Sequence, residues 1–271
     1  MSAQSILKKS YTVKTKNKGA FIFSAVSIIF ASLFFVIMSG FELHFTWDIL
    51  PYSLGFALAY GTAVLMSFVA IRLGSLSLTS LITSYSLIIP TFYGLIFLGE
   101  DVGVLFYIGL SILCISLFLM NSKHSGCKIS FAWVVAVFLA FLGNGVCSTV
   151  QLVQQREFAG QYKSETMIIA LLTVGAVMVL FSFLFEKDSA MFSLKNGGLR
   201  AAACGIMNGV CNLLVMILAV SMDASIMYPI LSAGGIILTG SLSLLIYKEK
   251  LSIRQCLALC LGIASVVLMN I

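Results

Sequence analysis

The chain has 271 residues, of which 60% are hydrophobic and only 10% are charged, and its formal net charge is +6. Its mean hydropathy of +1.09 excludes a soluble globular protein, because one core of this size could not bury so much apolar surface. Its 16 Lys and Arg residues form no basic surface, so no nucleic-acid partner is expected.

The first 19 residues are rich in lysine and lead directly into a long apolar stretch. They hold Lys8, Lys9, Lys14, Lys16 and Lys18. No small-residue cleavage site follows a short apolar core, so the segment is not a cleavable signal peptide. The lysines are a topology signal that favours the cytoplasmic side and contact with anionic lipid head groups.

Apolar stretches of about 20 residues recur along the rest of the chain, and a helix of that length crosses a hydrocarbon core of about 30 Å. They predict an all-α polytopic helix bundle in a lipid bilayer. The nine predicted spans are 20–40, 51–71, 76–98, 103–120, 129–150, 166–185, 200–220, 225–247 and 252–270.

The second half of the chain repeats the pattern of the first. An offset of 149 positions places Glu100 on Glu249 and then runs without a gap, so that Leu119-Met120-Asn121 falls on Leu268-Met269-Asn270. Identity is sparse, but the succession of spans and punctuation repeats, as in transporters built from inverted repeats.

The two predicted repeats are 1–121, with four spans, and 122–271, with five. Near the N-terminus an offset of 147 places Gln4 on Gln151, so the first repeat has no counterpart of residues 129–147. Either the protein natively has nine spans, or the chain begins late and lacks a first helix. We favour the late start, because a five-helix unit and a four-helix unit are harder to pack.

Loop charge predicts the orientation, since Lys and Arg collect in cytoplasmic loops. With residues 1–19 inside, the cytoplasmic segments are 1–19, 72–75, 121–128, 186–199 and 248–251. These segments and their flanks hold every Lys and Arg except Arg156 and Lys163. Equivalent loops of the two repeats then lie on opposite sides, which predicts an inverted repeat of five-helix units; the alternative is a chance arrangement of charges.

Gly99-Glu100 and Lys248-Glu249 close the fourth helix of each unit, and a short Gly-containing helix follows each. In these marks nearly the whole chain resembles the EamA-like branch of the drug/metabolite transporter superfamily. The resemblance implies ten-helix carriers that export amino acids or related metabolites. The absent first helix and Lys248, where the family commonly has Gly, depart from that pattern.

Small and hydroxyl side chains form a stripe on two equivalent spans, spaced by three and four residues. The stripes are Ser225, Tyr228, Ser232, Gly235, Thr239 and Ser243, and Thr79, Thr83, Ser86, Pro90 and Gly94. Such a face is either a packing surface that permits close helix approach or the lining of a substrate cavity.

Carboxamides give two more polar stripes, Asn144, Ser148, Gln151 and Gln155 on the fifth span and Asn208 and Asn212 on the seventh. Hydrocarbon cannot satisfy their donors and acceptors, so they should point into the bundle and bind a polar substrate or each other. Gln151 and Gln155 lie where the span could already reach the membrane surface.

Prolines and tyrosines complete the candidate cavity. Pro90 and Pro229 each remove a backbone donor within a span, which favours a kink, although Pro229 is near its span's start. Tyr60, Tyr85 and Tyr228 could contact a substrate, whereas Trp47 and Tyr52 have the character of membrane-interface anchors.

Ionisable side chains do not occur deep within any predicted span, so a carrier driven by a buried carboxylate is disfavoured. We interpret Glu100 and Glu249 at the membrane boundary as caps or loop-fixing charges. His44 and His124 fall in loops and the cysteines are scattered, so the sequence predicts no enzyme, no metal and no cofactor.

The sequence therefore predicts a secondary carrier in the inner membrane that moves a small polar metabolite by alternating access, in the direction of export. Its expected partners are that small-molecule substrate and the lipid bilayer, with a homodimer left open. The alternative is a non-transporting or partner-dependent membrane component, such as a subunit of a lipid-carrier flippase.

Overall fold

A computed structural model of the chain describes residues 7, 11, 19–73, 79, 82–83, 85–120, 130–247 and 253–269. These residues contain α-helices, two short 3-10 segments (Trp47–Ile49 and Tyr85–Leu87) and no strand. The α-helices are α1 (Ala20–Met38), α2 (Leu50–Leu73), α3 (Ile88–Phe97), α4 (Val104–Met120), α5 (Phe131–Glu157), α6 (Lys163–Phe185), α7 (Lys187–Ser221), α8 (Ala224–Tyr247) and α9 (Ile253–Met269).

The predicted all-α helix bundle is confirmed. Five helices in the described part of the chain are long and apolar enough to cross a membrane, and Tyr85–Phe97 and Val104–Ser116 are shorter apolar helices. The five long helices are Ala20–Met38, Trp47–Ile71, Phe131–Glu157, Lys163–Phe185 and Ala190–Ser221. A helix suits these stretches because it satisfies its own backbone hydrogen bonds where no water is available.

The loop predicted over residues 186–199 is wrong. The chain is helical from Lys187 onward, and α7 has 35 residues. At 1.5 Å per residue it is roughly 52 Å long, so its charged first turns can extend beyond a hydrocarbon core of about 30 Å. Packing also holds this stretch, since Ser193 is fully buried. The charged residues that predicted a loop therefore lie within the helix.

The predicted span 76–98 is not one continuous α-helix in its described part. Tyr85–Leu87 is a 3-10 segment, and α3 follows it directly. Pro90 is the third residue of α3 and has no N–H for the carbonyl of the preceding turn, which accounts for irregular geometry at that point. The predicted span 129–150 also continues, because α5 reaches Glu157.

The chain forms two compact units, Met1–Gly61 with Val150–Val220 and Thr62–Thr149 with Ser221–Ile271. Each unit combines segments that are far apart in the sequence. The division falls within α2 and within α5.

In unit 1, α1 and α6 pack as an antiparallel pair. The start of α1 lies at the end of α6, where Phe21 stacks on Phe181. At the other end, the His44 N–H that follows α1 donates to Glu165 in the first turn of α6, at 3.1 Å. Contacts at both ends of the pair therefore join α1 to α6.

The same unit holds a close crossing of α1 and α7. Gly205 and Gly209 are four residues apart on α7, and a methyl group at either would collide with α1, at Ser27 and Phe34 respectively. The Ser27 hydroxyl donates to the Ala201 carbonyl at 2.9 Å on the same face. Small residues at this spacing let membrane helices approach closely, so this face of α7 is a packing surface.

Arg156 and Lys163, the two cations outside the predicted cytoplasmic segments, bond to carbonyl oxygens of unit 1. Arg156 Nε donates to the Ala219 carbonyl near the end of α7 at 2.7 Å, and Lys163 Nζ donates to the Gly160 carbonyl. For Arg156 the helix dipole adds to this bond, because it favours a cation at a helix C-terminus. Local bonding thus explains the position of these two charges.

In unit 2, α3 approaches α8 closely at Gly94. A side chain there would lie 2.9 Å from the Ala224 Cβ and 2.5 Å from a Glu100 carboxylate oxygen. Another close approach joins α5 to α3, since a methyl at Gly145 would collide with Ile89. Glycine is needed at both positions because neighbouring atoms occupy the space of a Cβ.

Helices α4 and α9 of unit 2 have the same length and pack together. Each has 17 residues, and both their first and last residues lie 149 positions apart in the chain. A Cβ at Gly262 of α9 would lie 3.2 Å from the Ser116 hydroxyl of α4. The offset that aligns the two halves of the sequence therefore also aligns the bounds of these helices.

Candidate functional site

Four predicted site residues come together in unit 1 as a chain of hydrogen bonds. Gln151 on α5 donates through Nε2 to Asn212 Oδ1 on α7 at 3.5 Å. Asn212 Nδ2 donates to Asn208 Oδ1, one turn earlier, at 3.2 Å. Asn208 Nδ2 donates to the hydroxyl of Tyr60 on α2 at 3.4 Å. We call these four residues the carboxamide relay; they join three helices through uncharged groups.

Backbone carbonyls fix the direction of the relay. Asn212 Nδ2 also donates to the Asn208 carbonyl at 2.9 Å, and Gln151 Nε2 approaches the Asn212 carbonyl at 3.4 Å. A carbonyl oxygen is only an acceptor, and an amide side chain donates only through its nitrogen, so both amides must present nitrogen on these sides. The side-chain oxygen of Asn212 therefore faces Gln151, and the donors all point toward Tyr60.

A second glutamine chain lies at the end of α5. Gln154 Nε2 donates to the Gln161 carbonyl at 3.3 Å, and Gln155 Nε2 donates to Gln154 Oε1. Gln154 and Gln155 are fully buried and Gln151 is 5% exposed. This part of α5 is therefore enclosed by protein and does not lie at a wet membrane surface.

Unit 2 contains a small cleft with an empty volume of about 260 Å³ including its open mouth. Its enclosed part has room for about one water molecule, so a metabolite could enter only if the surrounding helices moved. Three predicted site residues line it: Tyr85, Pro229 and Ser232. The cleft is also lined by Leu87, Ile88, Thr91, Leu110, Leu113 and Cys114.

Hydrogen bonds within unit 2 use several of the predicted polar groups. The Tyr85 hydroxyl donates to the Cys114 carbonyl at 2.9 Å, and the Tyr228 hydroxyl donates to the Ser148 carbonyl at 3.0 Å. Thr83 donates to the Thr79 carbonyl at 2.9 Å. Tyr228 is buried and Thr83 half-buried, so these bonds join neighbouring turns and helices.

The remaining predicted positions are a half-buried asparagine, two prolines and two glutamates. Asn144 accepts through its backbone carbonyl from the Ser148 hydroxyl at 3.1 Å. Pro90 is buried near the start of α3, and Pro229 lies inside α8. Glu249 lies outside the described residues.

Glu100 binds the first turn of α8. Its carboxylate accepts from the backbone N–H groups of Ala224 and Ser225 at 2.9 and 2.8 Å. These are the contacts of a capping carboxylate, as the interpretation of Glu100 expects. The negative charge lies at the positive end of the helix dipole, where it stabilises the helix.

Glu186 makes the same kind of contact in unit 1. This residue was not among the predicted site residues. Its Oε2 accepts from the N–H groups of Phe21 and Ile22 at 3.0 and 3.1 Å, and the residue is 6% exposed. An acidic residue directly after a long apolar span was the available signal. Residues 186–199 were predicted to form a loop, and a charge in an exposed loop needs no partner. No contact was therefore predicted for Glu186.

Among the described residues, no group of three or more His, Cys, Asp or Glu side chains is placed to hold a metal ion. Five cysteines in the described part of the chain have free thiols: Cys114, Cys147, Cys204, Cys211 and Cys260. The chemistry that the candidate sites offer is hydrogen bonding by carboxamides, hydroxyls and backbone carbonyls.

The fold defines an all-α bundle with helices of membrane-spanning length, and comparison with known proteins agrees at that level. No protein family and no curated protein matches the sequence. Solved structures do match, among them one described as "Crystal structure of protein", with a TM-score of 0.75 and 13% identity over 100% of this chain and 97% of that chain. At this identity the match shows a shared fold and carries no function.

Proposed function

We propose that the protein is a secondary carrier of the EamA-like branch of the drug/metabolite transporter superfamily. It moves a small polar metabolite, such as an amino acid or a related compound, across the inner membrane in the direction of export. The observation that carries this proposal is the carboxamide relay, because one buried and two half-buried amides on two apolar helices, together with the Tyr60 hydroxyl on a third, form a site that recognises polar groups without any charge of its own.

The relay can exchange partners while its amide nitrogens stay paired. Its bonds between Gln151 and Asn212 and between Asn208 and Tyr60 are 3.4 to 3.5 Å long, near the limit for a hydrogen bond. A substrate that inserts here would replace long bonds by shorter ones. Binding then strengthens the contacts, and the relay's amide nitrogens keep their acceptors in the empty state, which suits a carrier that must cycle with and without its substrate.

An inverted repeat supports the mechanism. The bounds of α4 and α9 repeat at an offset of 149, and α1 and α6 form an antiparallel pair tied at both ends. We infer nine spans arranged as inverted repeats, with the lysine-rich N-terminal segment in the cytoplasm. Carriers with such repeats expose one site alternately to the two sides of the membrane.

The test is transport by the purified protein in liposomes, with a panel of amino acids and small neutral metabolites as substrates. We expect uptake of at least one member and a large loss in Asn208→Ala. The variant removes the donor to Tyr60 and the acceptor of Asn212. Each lost hydrogen bond weakens the site by about 0.5–1.5 kcal/mol, so the two together correspond to roughly a tenfold loss of transport at low substrate concentration.

Asn196→Ala is the matched control. Asn196 lies on the same helix, is exposed and donates only to the Phe192 carbonyl, so its removal should leave transport unchanged. The unfolding temperature of each variant in detergent separates lost transport from lost folding. No transport of any panel member by the wild-type protein, or wild-type rates in a folded Asn208→Ala variant, would contradict the carrier function.

A further inference from the structure

One buried side-chain oxygen at the end of α5 lacks a donor, and a second oxygen on the same helix receives none from a described residue. Gln155 is fully buried, and its Oε1 has no hydrogen-bond partner within the described part of the chain. Gln151, four residues earlier, donates through its nitrogen to Asn212, and no described residue donates to its Oε1. Burying a carbonyl oxygen without a donor is costly, so a group that supplies donors would bind favourably here.

The side-chain amides of Gln151 and Gln155 cannot be turned over to give their oxygens a donor. The Gln161 carbonyl requires nitrogen from Gln154, which turns Gln154 Oε1 toward Gln155 and requires nitrogen from Gln155 in turn. The Asn212 carbonyl fixes Gln151 in the same way. Turning any of these amides would place two oxygens against each other. The hydrogen bonds made by the two amide nitrogens therefore fix both oxygens as acceptors.

The two oxygens belong to one face of α5. Residues four apart on a helix have Cβ atoms about 5–6 Å apart, so Gln151 and Gln155 can act on one ligand group. The nearby cations Arg156 and Lys163 donate to the carbonyls of Ala219 and Gly160. A pair of neutral acceptors attracts a group with several N–H donors and disfavours a carboxylate or phosphate, which brings only acceptors.

We propose that Gln151 and Gln155 together receive a primary ammonium group of the transported metabolite, and that Gln155 thereby selects for substrates with N–H donors. This inference rests on the carrier function proposed above. The Gln155 oxygen is enclosed in the described conformation, so the ammonium group enters when the helices around the end of α5 separate and becomes enclosed when they pack again.

The experiment compares pairs of compounds that differ mainly in N–H donors. Glycine is paired with glycine betaine, whose nitrogen is fully methylated, and alanine is paired with lactate. Transport into liposomes by the wild-type protein should favour the ammonium member of each pair at least about tenfold. Gln155→Leu should reduce that ratio by about tenfold, whereas Asn196→Ala, at an exposed position of α7, should keep the wild-type ratio.

Gln155→Glu makes the test independent of the folding of the leucine variant. It retains an acceptor and adds a negative charge, while it loses the donor to Gln154 Oε1. In a Gln155→Glu variant that unfolds at the wild-type temperature, the preference for the ammonium member should therefore rise. An unchanged ratio in a folded Gln155→Leu or Gln155→Glu variant would overturn the inference while wild-type transport still supports a carrier. A sodium requirement that Gln155→Leu abolishes at an unchanged ratio would assign the oxygens to sodium and also overturn it. If the wild-type protein transports neither member of either pair nor any other panel compound, the carrier function fails and this inference fails with it.

Discussion

At the scale of single residues, one buried carboxylate holds the start of a membrane helix. Glu186 accepts from the first backbone N–H groups of α1, which has no acidic residue in its own first turn and no capping side chain. Those N–H groups have no carbonyl partner within the helix. We predict that Glu186→Gln destabilises the protein by about 1–2 kcal/mol, because the negative charge at the positive end of the helix dipole is lost and a neutral amide oxygen accepts hydrogen bonds more weakly than a carboxylate.

Hydrogen exchange of a peptide covering residues 20–25 measures this effect directly. The amides of Phe21 and Ile22 should exchange faster in Glu186→Gln, and the unfolding temperature in detergent should fall. Glu42→Gln is the control, since Glu42 is exposed in the described structure. Wild-type exchange at Phe21 and Ile22 in the Glu186 variant would show that the carboxylate does not stabilise this helix start.

Site residues could be predicted from the sequence where their hydrogen-bonding partners also belong to the polar stripes. Polar stripes on the fifth and seventh spans identified Gln151, Asn208 and Asn212, because an amide in an apolar helix must find a partner. Glu186 and Gln154 escaped prediction. Their partners are backbone groups whose positions depend on how the chain folds back, and a single sequence contains no signal for that.

At the scale of elements, the crossing of α1 and α7 depends on glycines of α7, which have no side chain to separate the two helices. We predict that Gly205→Ala destabilises the protein by about 1–3 kcal/mol, because the added methyl collides with the Ser27 carbonyl and the helices must move apart. For a chain of this size the unfolding temperature should fall by roughly 2–4 °C per kcal/mol. Thermal unfolding in detergent provides the measurement.

Gly234→Ala is the matched control for the crossing. Gly234 is also within a helix, but a methyl group there meets no atom of the described part of the chain within 4 Å. Alanine has the higher helix propensity, so this variant should be as stable as the wild-type protein or more stable. Equal stability of the two alanine variants would mean that the α1–α7 contact is looser than the structure shows.

Helix existence could be predicted from hydropathy, and most bounds agree to within a few residues, since an apolar stretch in lipid has to satisfy its own backbone. The exceptions have local causes. Residues 187–199 are polar enough for a loop, yet they continue α7 because Ser193 packs into the protein. The 3-10 segment before α3 reflects Pro90, whose effect on helix geometry depends on its neighbours.

At the scale of the whole molecule, the compact units differ from the linear halves of the sequence. Each unit takes segments from distant parts of the chain, and the division falls inside α2 and α5. Sequence periodicity identifies segments that correspond to each other, such as α4 and α9. It does not identify which segments pack together, because packing depends on side-chain shape at contacts such as Gly205 with Ser27 and Gly262 with Ser116.

The orientation of the molecule can be tested at the two ends of α7. Asn196 and Asp223 are both exposed and are 27 positions apart, which is roughly 40 Å along a helix. That distance exceeds the hydrocarbon core, so a membrane-spanning α7 places them on opposite sides. The basic residues Lys187, Lys195 and Arg200 predict that the Asn196 end lies in the cytoplasm. In intact cells a membrane-impermeant thiol reagent should label Asp223→Cys, and it should label Asn196→Cys only after the membrane is opened. The parent protein, with its native cysteines, gives the background.

Labelling of both variants in intact cells would mean that α7 does not cross the membrane or that the protein inserts in both orientations. The reverse pattern would place the lysine-rich N-terminal segment outside.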